Sequence, residues 1–348
     1  MNKQIAGWDI GGAHVKLALL GESGQIQVVA QQACPLWKGV DYLRRTLADL
    51  AGQFDLQDCR NAVTMTGELV DCFTSREQGV NAIVQAVCEQ FNAEQVSVFA
   101  GLRGFLPAAQ IQPADCMDIA SANWLASLLW VAKRQPNALF VDIGSTTSDI
   151  LLAENHQLKV QGFTDYQRLV SGELVYTGIV RTAVMAIAQE AEFNGQAMGL
   201  MAEYFATMAD VYRLTGDLNE AHDQSDTADG AEKSVSASAR RLSRLTGYEF
   251  SESDHALWLA FAEQLKAKQI QKISLACARQ LQRAETRSAI KLVGAGVGRF
   301  LARDIARDLG VDYLDFKDLL PSVNNIQAID AADCAPAAAV AYLAGGFG

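Results

Sequence analysis

At 348 residues the chain is long enough for two domains with sizeable cores, and its composition, 50% hydrophobic and 20% charged with six prolines, is that of a soluble globular enzyme. The formal charge of -11 argues against a nucleic-acid or anionic-membrane surface, which demands a basic face, but not against a small anion held by backbone N–H groups. The seven cysteines show neither C-x-x-C nor a zinc pattern with the four histidines, and read as reduced thiols packed as small hydrophobes. No apolar run approaches the length of a membrane span, and a cytoplasmic location is expected.

In chain order, residues 4–10, 15–20 and 26–32 read as three strands broken by Gly11-Gly12 and by residues 21–24. The first turn, Asp9-Ile10-Gly11-Gly12-Ala13-His14-Val15-Lys16, offers backbone N–H groups with an aspartate and a lysine. A helix follows over 40–50 and a short strand over 62–65. Val80, Ile83, Val84, Val87 and Phe91 then recur on one face of a helix. Residues 96–99 read as a strand and 118–133 as a further, single helix.

Pro136 marks a domain boundary. Beyond it, the strand 138–141 enters Asp142-Ile143-Gly144-Ser145-Thr146-Thr147-Ser148-Asp149, a second hairpin turn. Asp142 aligns with Asp9, Gly144 with Gly11, and Asp149 stands opposite Lys16. A third strand is expected over 158–163. Residues 172–283 read as mostly helical with a polar surface loop over 216–233, and 290–293 returns to a strand. Gly294, Gly296 and Gly298 precede a helix over 298–309, and an Ala-rich helix spans 331–344.

Two such hairpins and a later Gly-rich turn, in this order, resemble the actin, sugar kinase and Hsp70 ATPase superfamily. That likeness implies an α/β, two-domain actin-like ATPase (ribonuclease H-like) fold with a cleft between domains. The expected division is 1–134, with 335–348 returning to it, and 135–334, with a helical insertion at about 172–285.

Further blocks narrow the resemblance. Met65-Thr66-Gly67-Glu68-Leu69-Val70-Asp71-Cys72-Phe73, Arg76-Glu77-Gln78-Gly79-Val80, Ala122-Asn123-Trp124-Leu125-Ala126, residues 169–178, residues 202–212 and Thr227-Ala228-Asp229-Gly230 are similar to the hydantoinase/oxoprolinase-like family linked to tetrahydromethanopterin C1 transfer. The similarity covers nearly the whole chain. It departs at Gly67, where Ala is expected, and at His14-Val15, where Asn-Thr is usual.

The resemblance implies a transferase of methanofuran or methylofuran biosynthesis. Such an enzyme joins an aminomethylfuran methyl diphosphate to the phenol of a glutamyl-tyramine or glutamyl-tyrosine acceptor and releases pyrophosphate. Its requirements are Mg²⁺ and donors for the departing charge. Asp9, Asp142 and Asp149 are the metal candidates. Gly11, Gly12, Gly144, Ser145, Thr146 and Thr147 would cradle the diphosphate, with Lys16 as a point charge, although Lys16 also reads as a solvated strand end and Asp9 as a turn cap.

For the general base that the phenol requires, Glu173 is the first choice, at an expected helix start where it would also complement the dipole. Glu68 and Asp71 flank a second candidate turn, and Asp142 is counted with the catalytic groups through its metal. His14 lies on the first hairpin, where a plain surface histidine is the alternative. Cys72 is a candidate thiol. Asp229 either touches substrate or holds a turn, and Trp124, Tyr176, Tyr204, Phe205 and Tyr212 line a pocket or belong to the core.

Gly294, Gly296 and Gly298 would lie against a nucleotide, so ATP use stays open. With it stay an ATP-dependent kinase or amidohydrolase and a non-catalytic nucleotide-binding sensor. For partners the sequence points to a small anionic molecule, to neither nucleic acid nor membrane, and leaves a homodimer open.

Overall fold

The computed structural model describes residues 4–321 and 328–347. β1 (Ile5–Ile10), β2 (His14–Leu20) and β3 (Ile26–Ala33) form an antiparallel ladder in which Asp9 faces Lys16. α1 (Val40–Gln53) buries Leu43, Leu47 and Leu50 at helical spacing and leads into β4 (Arg60–Met65), parallel to β1. α2 (Arg76–Gln90) is capped by Ser75, whose side chain accepts from Gln78 N at 3.1 Å. β5 (Val96–Phe99) and β6 (Phe105–Pro107) complete a sheet of order β3-β2-β1-β4-β5-β6.

The single helix expected over 118–133 is two helices, α3 (Cys116–Ile119) and α4 (Asn123–Arg134). The break falls at residues 120–122, where Ser121 takes φ 51°. β7 (Ala138–Ile143), β8 (Ser148–Glu154) and β9 (Gln157–Leu158) then repeat the opening pattern. The third strand expected over 158–163 is reduced to β9. Shortly after it α5 (Asp165–Ser171) begins, with Thr164 Oγ1 accepting from Gln167 N at 3.2 Å.

The stretch read as mostly helical also holds three strands: β10 (Leu174–Val175), β11 (Glu190–Phe193) and β12 (Gln196–Gly199). Its helices are α6 (Met208–Thr215), α7 (Val235–Thr246) and α8 (His255–Leu281). β13 (Lys291–Ala295), α9 (Arg299–Leu309) and β14 (Asp312–Asp315) follow, and the second sheet has the order β10-β8-β7-β13-β14 with β9 on β8. The last helix, α10 (Ala335–Ala344), starts four residues later than expected; of the segment 335–348, residue 348 lies outside the described residues.

The chain forms two compact units. The described residues up to Ala138, with Ala153–Gln167 and those from Leu314 on, make the first; Leu139–Leu152 and Arg168–Tyr313 make the second. The first core includes Ile10, Leu17, Leu43, Leu47, Val63 and Ile83, and the second Val141, Ile150, Leu242, Phe261, Leu292 and Ile305. α10 seals β1 so closely that a Cβ on Gly7 would meet Ala337 O at 2.1 Å. Among the described residues no helix is long and apolar enough to cross a membrane.

Candidate functional site

The two hairpins close their turns alike. Gly11 N donates to His14 O at 2.9 Å, and Gly144 N donates to Thr147 O at 2.8 Å. The Asp-Ile-Gly sequence dictates this in both: a buried aspartate is the strand's penultimate residue, and the glycine amide just past its end turns back to pin the next strand.

In the first unit, Asp9 is 6% exposed and accepts from Asn123 Nδ2 at 3.3 Å, where α4 begins. Lys16 is not a solvated strand end, because its Nζ donates to Asp333 O at 3.0 Å. Nor is His14 a surface histidine, being buried. Gly12 lies against Val70, and a Cβ on Gly67 would meet Leu36 Cδ2 at 2.7 Å and the Gly11 carbonyl at 3.2 Å. An alanine at this position would therefore press on the first turn.

In the second unit, the turn Gly144 to Thr147 is half-buried and backed by two glycines. Gly178 is so close that a Cβ there would meet Thr146 N and Ser145 C at 2.5 Å. Gly296, at φ 79°, would place a Cβ 2.3 Å from Asp142 Oδ1 and 2.4 Å from Ile143 O. Gly298 N donates to Ile143 O at 2.8 Å. The Gly-rich turn is thus packed on the Asp142 hairpin, whereas Gly294 faces Tyr313 and Ala302. Ser145 Oγ is buried with no hydrogen-bond partner among the described residues, a donor placed for an anion's oxygen.

Asp149 is committed elsewhere: it forms a short ion pair with Arg168, itself 2% exposed. Glu173 does not start a helix. α5 ends at Ser171, Gly172 takes φ 77°, and Glu173 precedes β10, so the expected dipole argument fails. Its carboxylate is wholly buried, accepting from Ser171 Oγ at 2.9 Å and paired with Arg283 at 3.4 Å. This arrangement fastens the end of α5 to the segment after α8 and leaves the carboxylate no surface on which to meet a phenol.

Glu68 is different. It is 1% exposed, and its Oε1 accepts from Ser121 Oγ at 2.7 Å and pairs with Arg76 at 3.3 Å. Burial pushes its carboxyl above the usual carboxylate range, and the charge of Asp165 adds to this. The Ser121 and backbone hydrogen bonds and the charge of Arg76 pull the other way without cancelling it. Arg76 reaches on to Asp165 at 2.9 Å. The sequence marks Arg76 only as part of the stretch 76–80 and gives Ser121 and Asp165 no role. The pattern Thr164-Asp165 before Gln167 is a readable cap; nothing local announces Ser121.

The other candidates disperse. Asp71 is exposed. Cys72 is exposed with its thiol held up by burial and its Sγ on Leu36 O, which is not the setting of a reactive thiolate. Asp229 holds its turn through Ala231 N at 3.1 Å and pairs with Arg241 at 3.1 Å; burial raises its carboxyl, but these contacts bring it below the ordinary range. Tyr212 and Trp124 are core, Phe205 packs beside it, and Tyr176 and Tyr204 are exposed.

Among the described residues no three of His, Cys, Asp or Glu converge on a metal position. A cation at Asp142 would take most of its ligands from phosphate and water. That fits Mg²⁺, which binds through one or two carboxylates. Asp149, neutralised by Arg168, does not fit as a ligand.

Two α/β units, each opening on a matched Asp-Ile-Gly hairpin, define an actin-like ATPase fold. The nucleotide-free structure of acetone carboxylase is similar in fold, with a TM-score of 0.54 at 9% identity over 98% of this chain and 70% of that one. The hydantoinase/oxoprolinase family model matches residues 60–336, and the chain belongs to that family. It is 33% identical over 247 residues to the (4-{4-[2-(gamma-L-glutamylamino)ethyl]phenoxymethyl}furan-2-yl)methanamine synthase of Methanocaldococcus jannaschii, covering 70% of this chain and 72% of the relative. A synthase of the same name from Methanococcus vannielii is 30% identical over 109 residues, 31% of this chain and 49% of that protein.

Proposed function

We propose that the chain is a transferase of methanofuran or methylofuran assembly. It would join an aminomethylfuran methyl diphosphate to the phenol of a glutamyl-tyramine or glutamyl-tyrosine acceptor, releasing pyrophosphate. The observation that carries this reading is the 33% identity extending over 72% of a synthase whose name specifies a phenoxymethylfuran ether. Its setting would be the cytoplasm, in service of tetrahydromethanopterin-linked C1 transfer.

The chemistry suits the residues. A furan ring shares the positive charge that develops on its CH₂ as the C–O bond to diphosphate loosens, so the protein has chiefly to stabilise the departing anion. Fixed donors in a water-poor turn do this without reorganising, and each such donor is worth about 3 kcal/mol in other enzymes. Here these are the Ser145–Thr147 amides and the Ser145 hydroxyl, with Gly12 and Lys16 offering the same chemistry in the first unit, while the Gly11 and Gly144 amides close their own turns. Asp142 and Asp9 are the candidates for Mg²⁺, which would neutralise diphosphate oxygens when bound.

Mass spectrometry of the purified protein with Mg²⁺, the diphosphate donor and each acceptor, with and without ATP, tests the reading. An ether product with pyrophosphate in the ATP-free reaction is expected. ADP formation without ether would move the assignment to an ATP-dependent kinase or amidohydrolase. Asp142→Ala is expected to abolish turnover while leaving the melting temperature within a few degrees; undiminished turnover would remove its role.

A further inference from the structure

Glu68, Ser121, Arg76 and Asp165 come from four separate stretches: the turn after β4, the break between α3 and α4, the start of α2 and the start of α5. Ser121 Oγ stands at their centre. It donates to Glu68 Oε1 at 2.7 Å, accepts from Arg76 at 3.2 Å and lies 3.4 Å from Asp165 Oδ2. The Arg76 guanidinium spans both carboxylates.

Two features set this cluster apart from an ordinary ion-pair network. Glu68 Oε2 is buried and has no hydrogen-bond partner among the described residues, so the carboxylate that Arg76 and Ser121 hold through Oε1 is short of hydrogen bonds and gains by taking up a proton when one is delivered. Ser121 holds φ 51°, a region that a serine enters only when its surroundings insist, and one found often at working sites. The cluster also runs from surface to interior: the Arg76 and Asp165 side chains are 23% and 25% exposed, and that of Glu68 is not exposed at all. Phe163, two residues before Asp165, is half exposed and stacks at a tilt on Trp124 with ring centroids 6.2 Å apart, offering an aromatic acceptor a face.

We propose that Asp165, Ser121 and Glu68 form a proton relay that removes the proton of the acceptor's phenol. The proposal rests on the transferase reading. Asp165 is its catalytic residue, taking the phenol proton as the phenol oxygen forms its bond to the furfuryl carbon and the C–O bond to diphosphate breaks with its electron pair on the leaving group. The proton passes from Asp165 to Ser121 Oγ as the serine's own proton moves to Glu68 Oε1, and the serine ends unchanged. Glu68 stores the proton until it returns to water. Arg76, the cation facing both carboxylates, keeps Asp165 and Glu68 from repelling one another and orients Ser121. Burial, which holds the Glu68 carboxyl above the ordinary range, makes it an apt final acceptor.

Ser121→Gly, Asp165→Asn and Glu68→Gln test the relay with two acceptors: the natural phenol and a ring-fluorinated analogue whose phenol is already ionised at the working pH. Glycine suits φ 51° at position 121, so Ser121→Gly removes the hydroxyl without adding strain. With the natural acceptor each variant is expected to lose kcat by about 100-fold while the acceptor KM stays within a few-fold. With the ionised acceptor the variants are expected to recover to near the wild-type rate. Equal loss with both acceptors, in variants whose circular dichroism matches the wild type, overturns the relay and leaves the transferase standing. Absence of ether product from the wild-type protein with both acceptors overturns the transferase reading and the relay with it.

Discussion

At Gly296 a backbone geometry and a buried carboxylate meet. Its φ of 79° disfavours any side chain, and an added Cβ would lie 2.3 Å from Asp142 Oδ1 and 2.4 Å from a backbone oxygen that cannot swing aside. Gly296→Ala is therefore expected to destabilise the protein by roughly 1–3 kcal/mol and to depress turnover by moving Asp142. Urea denaturation and a rate assay read the two effects, and an alanine variant with wild-type values in both would show that the turn does not constrain the carboxylate. Glu68 offers a residue-scale test that needs no substrate. Its folded pKa is raised above the reference value of 4.5, so its stabilising contribution is complete below that pH and is lost as the pH rises through the folded value. Glutamine stays neutral throughout. The melting temperature of Glu68→Gln should accordingly gain on the wild type as the pH rises above 4.5 and on through the raised folded value. A difference that stays constant with pH would mean the carboxyl titrates normally.

Elements show where sequence suffices and where it stops. The two hairpins were legible because a strand ending in Asp-Ile-Gly carries its turn in its own residues, once at Asp9 and again at Asp142. The Asn194-Gly195 turn between β11 and β12 was equally local, with φ of 51° and 73°, and was lost only because the surrounding stretch is helix-rich. The break between α3 and α4 had no such signal: Ala-Ser-Ala is compatible with helix, and Ser121 is turned aside by partners 45 and 53 residues away. Glu173 was misplaced for a related reason, since a glycine before a carboxylate can precede a helix or, as Gly172 does here, follow one. The loop over 216–233 was recognised as polar, but its anchoring was hidden. Asp223 in that loop pairs with Arg213 of α6 at 2.5 Å, and Asp229 with Arg241 of α7, while Asp210 of α6 binds Arg241 at 2.8 Å. Arg241 has no exposed side-chain surface, so Asp210→Ala would leave a buried cation short of its closest countercharge. A loss of roughly 3–5 kcal/mol in urea denaturation is expected, with Asp210→Asn losing less. A loss below about 1 kcal/mol would show that Asp229 alone satisfies the arginine.

For the whole molecule, chain order and compact units do not coincide. The first unit takes residues from three separate stretches, and strands β7 and β8 pass from one unit to the other within their own length. The first unit's sheet is covered over β1 only by the last helix, which arrives about two hundred residues after α4. Gly7 of β1 has no side chain because Ala337 and Ala341 occupy that space, and Trp130 of α4 stacks on Tyr342 of α10 with centroids 4.7 Å apart. α10 is almost entirely buried, and its alanines allow this close approach to the strand. A fragment of residues 1–134 would therefore expose the strip of β1 and α4 that α10 covers, and so lack the seal of its core. Such a fragment is expected to retain secondary structure without a cooperative melt, in the manner of a molten globule. Adding a peptide of residues 328–348 in trans should restore part of the cooperativity, because binding to the folded state alone stabilises it. A fragment that melts as sharply without the peptide would show that the sheet and α1 to α4 suffice, and that the final helix serves another purpose than closing this core.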